Sequence, residues 1–130
     1  MRPISDNLSN TAENRCLDFI NGLSATAPTT PLKVALVTAG GSDTVAGTEV
    51  AGGAYARQTL TVAAAASGAT SNSADVVFSG MPAATVVGVE IWDSAGTPVR
   101  LWYGMLAASR TVAAGDELRL AAGSLTLSLS

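Results

Sequence analysis

The chain has 130 residues, of which 48% are hydrophobic, so it can bury the core of one domain without a disulfide or a metal. Ten acidic residues against seven basic ones give a formal net charge of -3, and Lys33 and the scattered arginines form no basic cluster. This balance argues against a protein that wraps a nucleic-acid backbone, which requires clustered Lys and Arg, so we expect no nucleic-acid partner.

The chain contains no histidine and a single cysteine, Cys16. The commonest general base and metal ligand is therefore absent, which excludes Ser-His-Asp, Cys-His and zinc sites of the usual kinds. One cysteine cannot form an intrachain disulfide, and we expect Cys16 to be a small core residue. The sequence predicts no cofactor and no metal.

The stretch from Met1 to Gly22 is polar and mixed, where a signal peptide would require an apolar run of about 7 to 15 residues. No stretch approaches the roughly 18 consecutive apolar residues of a membrane span. We therefore expect the protein to be synthesised in the cytoplasm and to have no membrane partner. It could still leave the cell as part of a larger particle.

The first predicted element is a helix over about Ser5 to Asn21. Ser5 or Ser9 can cap its start, Asn10 and Glu13 have the spacing of a capping box, and Gly22 suits its end. Apolar residues recur at spacings of three and four: Leu8, Ala12, Cys16, Phe19 or Ile20, and Leu23. This single stripe predicts one docked face, either against the sheet of the same subunit or against a neighbour.

Beyond a linker rich in Thr, Ala and Pro, apolar residues alternate with period two, which predicts short strands. The predicted strands cover about 32–37, 54–63, 73–78, 85–92, 99–106, 110–112, 117–120 and 125–129. A Gly-rich stretch over about 39–53 predicts a long mobile loop, and 64–72 predicts a turn. The last strand shows the cleanest alternation, with Leu125, Leu127 and Leu129 on one face, and we expect all three to be buried in the core.

The predicted hairpin from Thr85 to Leu106 organises the sheet and contains both tryptophans, Trp92 and Trp102. Its arms meet at the turn residues Asp93 to Pro98. On the first arm, strict alternation assigns two faces: Val87, Val89 and Ile91 on one, and Val86, Gly88, Glu90 and Trp92 on the other.

Together these elements predict a mainly β fold, an antiparallel β-sandwich, jelly-roll or Ig-like, of seven to eight short strands with one N-terminal α-helix. We expect residues 1–24 to form a helical segment and residues 25–130 a single sandwich domain.

Two groups of residues offer chemistry. The carboxylates could include a pair of the glycosidase kind, although acids at strand ends and turns are usually solvated or capping groups. They are Asp75, Glu90, Asp93, Asp116 and Glu117. Trp92, Trp102 and Tyr103 could form an aromatic platform for a sugar, although tryptophans on sandwich strands more often pack in a core or interface. The sequence therefore predicts no enzymatic activity.

Several blocks of the chain, in this order, resemble a family of small tailed-bacteriophage structural proteins, often labelled tail-fibre-like. The blocks are Asn10-Thr11-Ala12-Glu13-Asn14, Gly52-Gly53-Ala54-Tyr55-Ala56-Arg57-Gln58, Ser71-Asn72-Ser73-Ala74, Val87-Gly88-Val89-Glu90-Ile91-Trp92-Asp93, Val112-Ala113-Ala114-Gly115-Asp116 and Ala121-Ala122-Gly123-Ser124-Leu125-Thr126-Leu127. The similarity spans about Asn10 to Leu129, and none of the blocks is a catalytic motif. The resemblance implies a component of the virion.

Three functions remain open at this point. The first expectation is a capsid decoration or cement protein, and the second is a tail or fibre-base module. The third, from another class, is a carbohydrate-binding module at the tryptophans. The expected partners are the major capsid protein or tail proteins, together with copies of the chain itself, in a trimer for example. The candidate interface residues are Leu8, Ala12, Phe19, Ile20, Tyr55, Trp92 and Trp102.

Overall fold

A computed structural model describes Ile4–Ser5 and residues 7–129. The elements, in chain order, are β1 (Ile4–Ser5), α1 (Asn10–Ile20), β2 (Leu32–Ala39), β3 (Thr48–Glu49), β4 (Gln58–Leu60), β5 (Ala69–Ser71), β6 (Val76–Phe78), β7 (Ala84–Trp92), β8 (Arg100–Val112), β9 (Leu118–Leu120) and β10 (Thr126–Ser128). The fold is mainly β, its sheets are mostly antiparallel, and it carries one helix in the described residues, which confirms the predicted class.

The larger layer is a five-stranded sheet in the order β3-β2-β7-β8, with β4 also paired to β2. Within this sheet β7 and the edge strand β8 form the predicted antiparallel hairpin, in which Ile91 lies opposite Trp102 and Glu90 opposite Tyr103. Strand β8 continues to Val112, so the separate element predicted over 110–112 is the far end of this strand.

The opposite layer consists of two smaller sheets, β1-β10-β5 and β6-β9. Both contribute side chains to one buried cluster shared with the larger sheet, including Phe78, Leu118, Leu120, Leu125 and Leu127. The larger sheet contributes Val34, Leu36, Val86, Val89 and Ile91, among others, to the same core. The core therefore lies between the layers, as a sandwich requires.

The N-terminal segment joins the two layers at their edges. Ile4–Ser5 pairs in parallel with β10, whereas Ser9 donates its N–H to Leu101 O (2.9 Å) and Asn7 O accepts from the N–H of Tyr103 (3.1 Å). One short segment thus covers part of the edge of both layers, which protects those backbone groups from pairing with another chain.

A register shift in β7 corrects the predicted faces of the central hairpin. The pairing shifts between Val86 and Gly88, and Val86, Val89 and Ile91 all face the core while Val87 is only half-buried. Between the pairs formed by Val86 and by Gly88, β7 contributes one residue, Val87, and β8 contributes four, residues 106–109. This irregular bulge reverses the alternation, so the prediction that Val86 and Val87 take the other faces was wrong.

Helix α1 begins at Asn10, five residues later than predicted, because Leu8 forms a bridge to Trp102 in a strand-like segment. Ser9 is the N-cap, so the capping box predicted at Asn10 does not form. The predicted C-terminal stop is confirmed: Gly22 has a positive φ of 76°, and Leu23 N–H reaches Asp18 O at 2.8 Å.

Two stretches predicted to lack strands contain them. The stretch 64–72 includes β5, and the Gly-rich stretch 39–53 includes β3. That second stretch is also tied to the sheet, since Gly47 N–H donates to the Glu90 carboxylate and Ser42 O accepts from Arg100. Long-range bonds of this kind leave no local pattern in a sequence.

Candidate functional site: the face of helix α1 and the groove beside it

Helix α1 and the turn that follows it present large apolar side chains to solvent. Leu17 is 60% exposed, Phe19 63%, and Ile20 and Leu23 each 77%. Among the residues of α1 only Ala12 is buried, and it packs with Leu8 and Leu101. Cys16 is exposed, so the prediction that it belongs to the core was wrong. In the isolated chain most of the predicted apolar stripe is uncovered.

Polar contacts hold this helix on the end of β8. The hydroxyl of Ser9 accepts from Ala12 N–H at 3.2 Å and donates to Arg100 O at 2.6 Å. Asn10 N–H donates to Asp43 O at 3.0 Å. The N-cap therefore satisfies the first turn of α1 and fixes its position on the sheet.

An apolar groove of about 480 Å³ runs between α1 and residues 25–28. Its lining residues are Leu8, Ala12, Arg15, Cys16, Phe19, Ala25, Thr26, Ala27, Pro28, Leu32, Leu101 and Trp102. Leu17 and Ile20 do not line it and project from another part of the helix surface. We call Leu17 and Ile20 the helix ridge.

Arg15 is the charged residue in this groove. No described carboxylate lies within ion-pair distance of it, and its Nη1 atom is buried without a hydrogen-bond partner in the described part of the chain. The positive charge of Arg15 acts on the carboxylate of Asp93. That carboxylate already accepts the N–H groups of Thr29, Ala95 and Val99. Burial raises the pKa of Asp93, and these donors together with Arg15 outweigh that effect and lower it.

The face of the larger sheet away from the core carries a buried ion pair. Glu90 Oε2 accepts from Arg100 Nη1 at 3.2 Å and from Gly47 N–H at 2.7 Å. The Arg100 guanidinium also stacks over the Tyr103 ring, 4.7 Å from its centroid. This cluster ties the loop before β3 to the central hairpin.

Tyr55, a predicted interface residue, bonds within its own chain. Its hydroxyl donates to Glu49 Oε2 at 2.6 Å and accepts from Leu36 N–H at 3.0 Å, while its ring stacks on Phe78. Burial, with the Glu49 hydrogen bond, raises the pKa of Tyr55. Burial raises the pKa of Glu49, but the hydrogen bonds that it accepts from Arg57 and Tyr55 lower the pKa by a larger amount. The net shift is therefore downward.

The structure separates the two tryptophans. Trp102 lies opposite Ile91 and packs against the core, whereas Trp92 lies opposite Arg100 on the other face, under the Arg57 guanidinium at 4.3 Å. Indoles on opposite faces of a sheet cannot form the joint sugar platform considered from the sequence.

Each of the five candidate carboxylates is engaged in a structural hydrogen bond or ion pair. Asp75 pairs with Arg119 at 2.7 Å, and Glu117 approaches the same guanidinium at 3.4 Å. Asp116 accepts from Ala113 N–H at 2.9 Å, and Glu90 and Asp93 have the partners given above. Among the described residues, no group of three or more His, Cys, Asp or Glu could hold a metal ion, and no helix is long and apolar enough to cross a membrane.

Of the predicted interface residues, the structure brings Leu8, Ala12, Phe19 and Trp102 together around the groove. Ile20 lies on the ridge, and Tyr55 and Trp92 lie elsewhere. Sequence reasoning missed Arg15 and Leu101. Arg15 lies three residues after Ala12 and four before Phe19, so its helical spacing could have identified it.

The family model described as podophage GP4 fiber I protein gp80 matches residues 7–128 of the chain. The match covers α1 and strands β2 to β10. No curated protein matches the chain.

Proposed function

Since the chain belongs to the family of podophage GP4 fiber I protein gp80, it is a structural protein of the phage virion, and we propose that it serves in a fibre as a non-enzymatic joint to other virion proteins. The family description supports the fibre assignment. The expected partners are tail proteins or the major capsid protein.

The observation that carries this proposal is the uncovered face of α1. A soluble monomer rarely leaves several large apolar side chains in contact with water on one element, and such patches mark protein interfaces. Leu17 and Ile20 on the ridge, with Phe19 beside them, form such a patch. We propose that the ridge is the contact through which copies of this chain associate, in a trimer for example.

The absence of enzymatic activity is part of the proposal. It is supported by the lack of histidine and by the structural bonds that engage the five candidate carboxylates. We expect the natural protein to show no hydrolytic activity. Replacing any one of these acids by its amide should therefore abolish none.

Capsid decoration is the second candidate. A compact chain without internal repeats favours it, because a fibre shaft usually needs elongated or repeated sequence. The number of copies per particle distinguishes the two candidates. A decoration protein is present in hundreds of copies and a fibre component in far fewer.

Ile20→Asp tests the ridge. We expect this variant to melt at the same temperature as the natural protein, because Ile20 contributes little burial, but to lose self-association in sedimentation and incorporation into particles. Asn14→Asp is the control, since it adds the same charge at another exposed position of α1. Normal mass and normal incorporation of the Ile20 variant would contradict the proposal.

A further inference from the structure

We propose that the groove beside α1 binds an extended segment of a different virion protein, which places a large apolar side chain on Leu32 and Trp102 and a carboxylate against Arg15. This inference rests on the proposed function, because it names the partner chemistry of the same helix. It concerns the groove and not the ridge, so an experiment can contradict this inference without contradicting the proposed role of the ridge, and the reverse.

The size and lining of the groove indicate an apolar occupant. Its volume of about 480 Å³ falls in the range of pockets that bind small ligands or one to two large side chains. Leu8, Leu101 and Trp102 are among its lining residues, and so is Phe19, which is 63% exposed. An occupant that covers this surface removes apolar area from water on both partners.

The charge of Arg15 indicates a carboxylate on that occupant. No described acid pairs with Arg15, and its buried Nη1 has no hydrogen-bond partner among the residues that the structure describes. An uncharged occupant would withdraw the guanidinium further from water without compensation, which is unfavourable. A carboxylate would instead supply charge-assisted hydrogen bonds.

The backbone beside the groove indicates an extended occupant. Residues 25–27 are exposed, lie outside any strand, and make no hydrogen bond through their backbone within the described chain. A bound segment with free N–H and C=O groups can pair with them, as peptides do when they add to a strand.

These three features favour a foreign segment over a second copy of this chain. Among the described residues of this chain, the large exposed apolar residues directly beside an acid are Leu17 and Phe19, which flank Asp18 in α1, where the backbone groups are already bonded in the helix. Val45 is also exposed and lies two residues from Asp43, but the carboxylate of Asp43 already accepts the hydroxyl of Tyr103.

The test uses the full chain carrying Trp92→Phe, so that Trp102 is the remaining indole and reports on the groove by fluorescence. The probes are capped pentapeptides with a central Phe, Leu or Ile followed by Glu, and the same peptides with Gln. A third arm places the apolar residue before a free C-terminal carboxylate. Sodium decanoate represents a free fatty acid.

We expect saturable changes in Trp102 emission, at least tenfold tighter binding of a carboxylate peptide than of its Gln counterpart, and loss of that preference in Arg15→Gln. Asn14→Gln, on a different part of α1, should keep it. The Ile20→Asp variant should bind the same peptides, which separates this inference from the ridge.

Three outcomes would overturn the proposal. The first is absence of saturation by every peptide up to millimolar concentration. The second is tighter binding of decanoate than of any peptide. The third is a shift of Trp102 emission with protein concentration alone, which would assign the groove to a second copy.

Discussion

Glu90 and Arg100 are charged residues placed where the sheet excludes water, at 2% and 8% exposure. Their side chains bond to each other, to Gly47 N–H and to Ser42 O, so each charge has compensation on two sides. A buried pair of this kind adds little over apolar packing when intact, but the loss of one member leaves an uncompensated charge.

Arg100→Met should therefore lower the free energy of unfolding by about 3 to 5 kcal/mol, as measured by urea denaturation at neutral pH. The control is Arg119→Met, which removes a guanidinium bonded to Asp75 at the surface, where solvent screens the pair. We expect the control to change stability little. Equal effects of the two substitutions would show that Glu90 does not depend on its partner.

Tyr55 links pH to stability. Burial and the Glu49 carboxylate raise its pKa, so the folded chain holds the phenol in its protonated form. A raised pKa in the folded state means that the stabilisation is complete below the unfolded value of about 10 and is lost as the pH rises toward the folded value.

In Tyr103→Phe, which leaves Tyr55 as the one tyrosine, the absorbance of phenolate at 295 nm should rise only together with the loss of the β signal in circular dichroism. The physical reason is that Tyr55 can ionise freely only when the chain unfolds. Phenolate at about pH 10 in a chain with intact dichroism would contradict the assigned hydrogen bonds.

At the scale of elements, β10 shows where the alternation of apolar and polar residues predicts burial correctly and where it does not. It pairs with β1 on one side and β5 on the other. Leu125 and Leu127 are buried in the core as predicted, but Leu129, on the same predicted face, is 50% exposed because the strand ends at Ser128. The prediction that all three leucines are buried was therefore wrong for Leu129.

Leu127→Ala should cost about 2 to 5 kcal/mol, because it opens a cavity among packed side chains. Leu129→Ala makes the same chemical change two residues along and should cost less than about 1 kcal/mol. Thermal and urea unfolding of both proteins measure the difference. Similar losses for the two variants would place Leu129 in the core after all.

The sequence left two possibilities for the apolar stripe of α1, docking within the fold or docking against a neighbour, and they predict different stabilities for Phe19→Ala. A docked stripe would make Phe19→Ala destabilising by about 3 to 5 kcal/mol, whereas 63% exposure of Phe19 predicts a change within about 0.5 kcal/mol. Thermal melting of the purified variant decides between these values. A large loss of stability would mean that Phe19 is covered within the fold.

At the scale of the whole molecule, the N-terminal segment holds the two layers together by pairing with β10 and with the edge of β8. Deletion of residues 1–9 should expose both edges and cause aggregation, detected by light scattering, together with a lower melting temperature. The control is Ser9→Ala, which keeps the backbone pairs and loses the cap. It should cost about 1 kcal/mol and remain soluble. A soluble, stable deletion variant would show that edge coverage is dispensable.

The sequence by itself determined the elements whose signal is local. Alternation at Leu32, Val34 and Leu36 identified the core face of β2, the turn residues from Asp93 to Pro98 located the hairpin, and Gly22 marked the end of α1. These signals survive because side-chain direction and turn geometry depend on neighbouring residues. The ordered blocks likewise indicated the phage family, which the match over residues 7–128 confirms.

Only the tertiary structure decided which of these faces are buried and what the helix contacts. The bulge beside Val87 is visible only against the partner strand. The position of α1 on the sheet depends on the hydrogen bond that the Ser9 hydroxyl donates to Arg100 O, 91 residues away in sequence. The groove arises because residues 25–28 pass beside the helix without filling the space. Helical periodicity predicted an apolar face, but its exposure depends on packing between distant segments, which no local pattern records.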